Sequence, residues 1–302
     1  MSVLDEFDFS TLPAPQVVEV PDFETVLALV KADLVTEYPE AADALESDAE
    51  PLAKWAQRLA YQIVNERSAR NDSALAVMLA YAQGGDLDQI AAGFGVPPRL
   101  VITPADPEAV PPVAAVYEGD HPFRQRVRLA AANHGAAGTF GSYVEQALSA
   151  HGQVLDAYPS SPEPGIVNVV VLVHAGNGTP GADVLEAVQT ALEADEVRLI
   201  GEQVTAVAVT VVNYSIEAVI YKNGKPESAD AVERATEAAQ QVVAELRRIK
   251  KKIPISRIYA ALQNVAGVAS VDLMTPEDDV AIGETEAGYC TGIVIADGGI
   301  LV

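Results

Sequence analysis

The stretch most suggestive of chemistry is Gly176-Asn-Gly178-Thr-Pro-Gly181. It has G-x-G-x-x-G spacing, follows a run of β-branched residues and opens an amphipathic stretch. In that setting glycines bring backbone N–H groups close to a dinucleotide pyrophosphate. Glu196 lies about twenty residues on, where an acid takes a ribose hydroxyl. Read this way, the chain is a nucleotide-dependent oxidoreductase. Two features count against it. Pro180 stands where a backbone N–H could face the pyrophosphate, and proline has none. The motif also begins beyond residue 170, whereas a dinucleotide fold opens on it. A tight strand-to-helix turn, capped by Thr179 with Pro180 in the first helical position, explains the same residues.

The other reactive side chains form no constellation. His121, His134, His151 and His174 include no pair at the i, i+4 spacing of a helical metal site, and each lies near an element end. There is no G-x-S-x-G elbow and no phosphate loop of the G-x-x-x-x-G-K-[ST] kind. Cys290 is the single cysteine, which excludes an intrachain disulfide and a thiolate metal site; in a predicted strand it reads as an inert thiol. Asp278-Asp279 reads as an acidic loop. No catalytic residue, metal or cofactor is expected. The one basic run is Arg247, Arg248, Lys250, Lys251 and Lys252, at the end of the longest predicted helix. There the macrodipole stabilises cations by about 0.3–1 kcal/mol each. Alternatively the run is a docking patch for an acidic surface, such as the N-terminal segment of a neighbouring copy.

Charge narrows the partners. The 302 residues carry a net charge of −24, and residues 1–50 hold thirteen acids against Lys31 alone. Such a surface repels phosphate backbones and anionic lipid, so neither nucleic acid nor membrane is an expected partner. Aromatic residues are only 6%, which argues against a sugar-binding module built on stacked rings. Met1–Phe9 is acidic and lacks the apolar core of a signal peptide, and no apolar run approaches the roughly 20 residues of a membrane span. A soluble chain made in a cytoplasm is expected.

Length suggests about two domains, with three small ones possible, and the elements sort accordingly. Phe23, Val26, Leu27, Val30 and Leu34 share one helix face. Leu52, Trp55, Ala56, Leu59, Ala60 and Ile63 form a second, which Ala74–Ala82 continues to a stop at Gly84-Gly85. Ser47 and Glu50 predict a capping box before Pro51. A short helix follows over Asp86–Phe94. These apolar faces need something to pack on, and Phe23, Val26, Leu27, Val30, Leu34, Trp55, Leu59 and Ile63 are candidate partner-binding residues. Seven prolines from Pro97 to Pro122 mark a linker.

Beyond it the pattern becomes helix and strand. Helices are predicted over Phe123–Asn133, Tyr143–Ala150, Pro180–Ala194, Ala229–Lys252 and Ile255–Asn264. Strands are predicted over Gln153–Tyr158, Ile166–His174, Val204–Val212, Tyr214–Tyr221, Val268–Met274 and Gly288–Ala296. Val144, Ala147, Leu148, Val154 and Pro162 recur 114 residues later as Ile258, Ala261, Leu262, Val268 and Pro276. The fold class expected is multi-domain α+β. A helical domain (1–96) and a Pro-rich linker (97–122) precede two small helix-on-sheet domains (123–212 and 213–302).

Several stretches, in their order and spacing, carry a resemblance. They are Leu12-Pro-Ala-Pro15, Asp22-Phe-Glu24, Tyr38-Pro39, Glu50-Pro-Leu52, Ala76-Val-Met-Leu-Ala80, Gly85-Asp-Leu-Asp88 and Leu100-Val-Ile-Thr-Pro-Ala-Asp106. Ile258-Tyr-Ala-Ala-Leu262, Gly267-Val268 and Tyr289-Cys-Thr291 complete the set. The chain resembles the baseplate J family of contractile-tailed phages and phage-derived particles. The resemblance implies a non-enzymatic wedge subunit of the virion's tail baseplate, in the ring around the central hub. It implies pairing of two copies with one wedge protein of the tail protein I type through the N-terminal helices. It further implies contacts with a lysozyme-like sheath-initiator protein, the hub and spike, and neighbouring wedges through the C-terminal domains. The ring would couple host attachment to sheath contraction.

Overall fold

A computed structural model describes residues 13–133, 137–194, 197, 199, 201–225 and 228–301. His134, Glu196 and Met1–Leu12 lie outside them. The described residues form two compact units, 13–93 and 94–301.

In the helical unit, α1 (Phe23–Glu37) starts at Asp22. The Asp22 carboxylate accepts from the backbone N–H groups of Glu24 and Thr25 and from the Thr25 hydroxyl. These bonds, the Glu24 N–H first, hold its pKa below the ordinary value. After a 3-10 turn at Pro39–Ala41 come α2 (Ala42–Glu46), α3 (Pro51–Ala76) and α4 (Gly84–Gly93). The expected capping box does not form: Ser47 ends α2, and Glu50 precedes α3 without a side-chain bond. Pro51 instead occupies the first turn, where an N–H would be unpaired anyway. Nor does α3 run to Ala82. The Met78 N–H bonds to the Leu75 carbonyl, an i to i−3 bond that tightens and ends the helix.

The larger unit begins in the Pro-rich segment, where β1 (Val101–Thr103) pairs antiparallel with β2 (Val116–Tyr117). There follow α5 (Asp120–Asn133), α6 (Phe140–Ala150), β3 (Val154–Glu163), β4 (Ile166–Val173), α7 (Ala182–Leu192) and β5 (Gln203–Ala208). The sheet order is β3-β4-β5, antiparallel then parallel. Val169, Val171 and Val173 of β4 join the core that includes Tyr143, Val144 and Val184 from α6 and α7. Val170 and Leu172 enter a second cluster on the opposite face. Burial on both faces is why this strand reads as an unbroken apolar run. The α7 cap falls two residues later than predicted, at Gly181 and not Thr179.

The chain passes to a second sheet at Val209. β6 (Thr210–Lys222), α8 (Ala231–Leu246), α9 (Ile255–Gln263), β7 (Val268–Thr275) and β8 (Glu286–Ile300) complete the unit. The order is β7-β6-β8, with β6 antiparallel to β7 and parallel to β8. Fully buried Ala231, Ala235 and Ala239 form one row of α8 within this core. The predicted 229–252 helix stops at Leu246. Each sheet thus has one antiparallel and one parallel neighbour around a central strand. In both, a helix leads directly into the antiparallel edge: α6 into β3 at Val154, α9 into β7 at Val268.

Candidate assembly interface

The helical unit closes its core with small residues. Val26, Leu27 and Val30 of α1 are buried against Ala56 and Ala60 of α3, and Phe23, Leu34 and Ile63 pack at the margin. Of the predicted partner-binding residues, these six are therefore engaged within their own unit. Trp55 and Leu59 are not: Trp55 is 72% exposed and Leu59 is exposed beside it. They share an outward face with Lys54, Arg58 and Tyr61, and the Arg58 guanidinium lies 5.6 Å from the Tyr61 ring centroid. Indole, phenol and guanidinium groups on an acidic unit are the side chains that anchor protein interfaces.

In the larger unit the basic run lies beyond its helix. Arg247 leaves helical geometry (φ −74, ψ 75) and Lys250 adopts φ 61. The segment between them fastens the two sheets together. Arg247 donates to the Gly176 carbonyl (2.8 Å), Arg248 to the Leu155 carbonyl (2.8 Å), and the Ile249 N–H to buried Asp156 (2.9 Å). Lys250 donates to the Tyr158 hydroxyl (2.8 Å) and pairs with Glu284 (2.5 Å), a contact that raises the lysine pKa and lowers the carboxyl's. Ile249 itself is buried with Val170, Leu172, Val209 and Ala287. Lys252 pairs with Asp279 (2.7 Å), and Lys251 is engaged too. The expected macrodipole role therefore gives way to a latch inside the chain. His174 has a solvent-exposed surface but sits against this latch. Desolvation, then the charges of Arg248 and Arg247, hold its pKa below the ordinary value.

The glycine loop serves the same latch. A Cβ on Gly178 (φ 101) would meet Leu172 Cδ1 at 2.4 Å, so only glycine fits that approach. The Gly178 N–H is bonded to the Ala175 carbonyl and the Thr179 N–H to Asn177. Two of the loop's amide donors are thus used within the loop, and Pro180 contributes none, which leaves fewer for a pyrophosphate. Cys290 is half-buried on β8, and burial pushes its thiol pKa up. It lines a cleft of about 590 Å³ with His174, Gln240 and Arg247. Among the described residues, no group of three His, Cys, Asp or Glu could hold a metal ion.

The Pro-rich segment is anchored by charge. Arg126 of α5 pairs with Glu118 at 2.5 Å, both side chains buried, and donates to the carbonyls of Pro97 and Pro98. Glu118 also accepts from the Leu100 N–H (2.9 Å), and Arg99 pairs with Asp120 (2.7 Å). Asp156, Glu118 and Arg126 were absent from the predicted site residues. Two of the three carry a signal in the sequence: Asp156 interrupts an apolar strand, and Arg126 sits on the apolar face of α5, three residues after Phe123.

Residues 46–106 match the Baseplate J-like N-terminal domain, 135–208 the Baseplate J-like central domain, and 214–296 the Baseplate J-like protein C-terminal domain. This chain belongs to the baseplate J-like family. Baseplate protein J of Escherichia phage P2 is 38% identical over 297 residues, covering 97% of this chain and 98% of that protein. A chain in the 6-fold symmetrised baseplate of the anti-feeding prophage aligns with 62% of this chain at 14% identity and a TM-score of 0.39; this chain spans 44% of that one. As a baseplate J-like protein, the chain is a structural component of the phage tail baseplate. None of its helices among the described residues is long and apolar enough to cross a membrane.

Proposed function

We propose that this baseplate J-like chain is a wedge subunit that helps close the ring around the hub and couples host attachment to sheath contraction. The observation that carries the reading is the exposed Trp55, Arg58, Leu59 and Tyr61 face of α3, on a unit whose core is already closed. Such a face suits a partner helix in a bundle. The division of labour follows the domains expected from sequence. The helical domain (1–96) binds a second copy and a tail protein I type subunit, the segment 97–122 acts as a strut, and the two α/β domains (123–212, 213–302) meet neighbouring wedges, the hub and the sheath initiator. Arg247, Arg248 and Lys250 serve those contacts indirectly, by tying one sheet to the other, and Lys251 on the same segment stands as a candidate contact residue. Nothing in this reading calls for a cofactor, nucleic acid or membrane.

Co-expression with the tail protein I homologue tests the reading. Native mass spectrometry is expected to show two copies of this chain with one of the partner. A chain that remains alone at micromolar concentrations of both would sink it.

A further inference from the structure

Most of the basic run is consumed inside the latch. Lys250 and Lys252 pair with Glu284 and Asp279. Arg247 has no carboxylate partner among the described residues. Its bonds run from Nη2 to the carbonyls of Val173 (3.4 Å) and Gly176 (2.8 Å), and its buried Nε has no acceptor. The Tyr289 ring centroid lies 5.5 Å from the guanidinium. A partly buried cation met only by carbonyl dipoles and a ring face favours an added anion.

The cleft of about 590 Å³ opens beside this guanidinium. That volume is in the range that holds a ligand or several side chains. Its walls come from both sheets: Leu155 and His174 from the first, Val243 and Ala244 of α8 and Ile293 of β8 from the second. The chain has 43 Asp and Glu residues, yet among the described residues none lines this cleft. A guanidinium and an imidazole over apolar walls complement a segment that carries carboxylates among apolar side chains.

Residues 1–12 have that composition. They include Asp5, Glu6 and Asp8, no Lys or Arg, and the apolar Leu4, Phe7 and Phe9 around the acids. Just beyond them the chain is fastened to α3. Asn71 accepts from the N–H groups of Val17 (3.0 Å) and Val18 (2.8 Å) and donates to the Val18 carbonyl (2.8 Å), and Arg67 donates to the Glu19 carbonyl (3.2 Å). Sixteen residues ahead of Val17 can span about 50 Å when extended, enough to cross to another subunit.

We infer that the cleft beside Arg247 is a docking site for the acidic, phenylalanine-bearing Met1–Leu12 segment of a neighbouring copy. The carboxylates meet Arg247 and the phenylalanines meet the apolar walls. Charge selects this occupant: a chain of net charge −24 repels its copies over most of its surface, and this cleft is a place where an acidic segment is attracted. The inference rests on the proposed wedge role, which takes copies of this chain to be neighbours.

Two measurements on the full chain test it. A labelled peptide with the sequence of Met1–Leu12 is titrated and followed by fluorescence anisotropy. Saturable binding is expected. Ala244→Glu sets a carboxylate at an exposed position on the cleft wall and should weaken binding about tenfold, whereas Ala244→Lys should not weaken it. That opposition of sign separates charge from a general disturbance of the fold. A peptide with Asp5, Glu6 and Asp8 replaced by their amides should bind about tenfold more weakly. The second measurement uses Cys290, the single cysteine and a residue of the cleft. A chain carrying Ser10→Cys and Cys290→Ser is mixed with the wild type and treated with a short bismaleimide. A two-chain product is expected on a denaturing gel, in excess of that from either protein alone. Absence of peptide binding at millimolar concentration, or binding indifferent to Ala244→Glu, overturns the inference. So does a link that forms only within one chain when Ser10→Cys and Cys290 are combined, since the occupant is then the chain's own segment. Failure here with a stable tail protein I complex leaves the wedge reading standing; loss of that complex sinks the wedge reading itself.

Discussion

The helical unit and the α/β unit are built on opposite plans. In the first, alanines are inside and the largest side chain is outside: Ala53, Ala56 and Ala60 are fully buried while Trp55 and Leu59 face solvent. In the second, Phe123, Leu172, Ile216, Ile220 and Ile258 are inside, and its cations are spent on joining one sheet to the other. A helix pair that meets through alanines gains little apolar area, at roughly 25 cal/mol per Å². Its exposed aromatic face is then the area still available to a partner. The α/β unit already buries its apolar strands on both faces of the first sheet. The difference teaches that the two units keep their apolar area in different places: the helical unit leaves an aromatic face outside its own core, and the α/β unit encloses its largest apolar side chains.

Four changes would break or sharpen that contrast. The largest effect is expected for Arg126→Ala. Glu118 would be left as a buried, unpaired carboxylate, and stability of the α/β unit should fall by about 3–5 kcal/mol. Denaturant unfolding measures it, and a loss below about 1 kcal/mol would mean that the buried pair contributes little to this unit. Next, Ala56→Leu forces a large side chain into the α1–α3 contact and should cost about 1–3 kcal/mol in the helical unit. Its neighbour Trp55→Ala is expected to do the reverse. Stability should stay within about 0.5 kcal/mol, while association with the tail protein I homologue weakens by about 2 kcal/mol, roughly thirtyfold. Equal stability losses at 55 and 56 would erase the contrast between the two plans.

The smallest effect concerns pH and the latch. The pKa of His174 is lowered in the folded chain, so the unfolded chain binds the proton more readily. Stability is therefore full above the unfolded value near 6.5 and declines as pH falls through the window below it. The exposure of His174 keeps the effect small. Thermal melts between about pH 7.5 and 5.5 should show a slope that His174→Gln reduces. An unchanged slope would remove the imidazole from the latch.

The elements most legible in the sequence were those governed by near neighbours. The Ile166–Val173 strand, the α1 face and the recurrence of Val154 at Val268 all follow from local pattern, because periodicity records which side chains share a face. The recurrence reflects the same helix-to-edge step in both sheets, although the chain visits the other strands in a different order. Local signals also misled. Ser47 and Glu50 have capping-box spacing, but the chain turns before they can bond, and the 229–252 stretch looks helical until Arg247 is drawn away.

The sequence by itself determined the fold class, the acidic surface, the absence of a recognised catalytic motif and the family. Those properties are sums over residues or patterns within a few turns. Tertiary structure alone decided what the chemistry-bearing residues are for. Gly176–Gly181, the most enzyme-like motif in the chain, became the receiving end of a latch because Arg247 reaches it from 71 residues away. Asp156 accepts from Ile249 across 93 residues. Which face of α3 is inside was settled by the docking of α1. Pairings over such separations depend on where the whole chain comes to rest, so no window of sequence contains them.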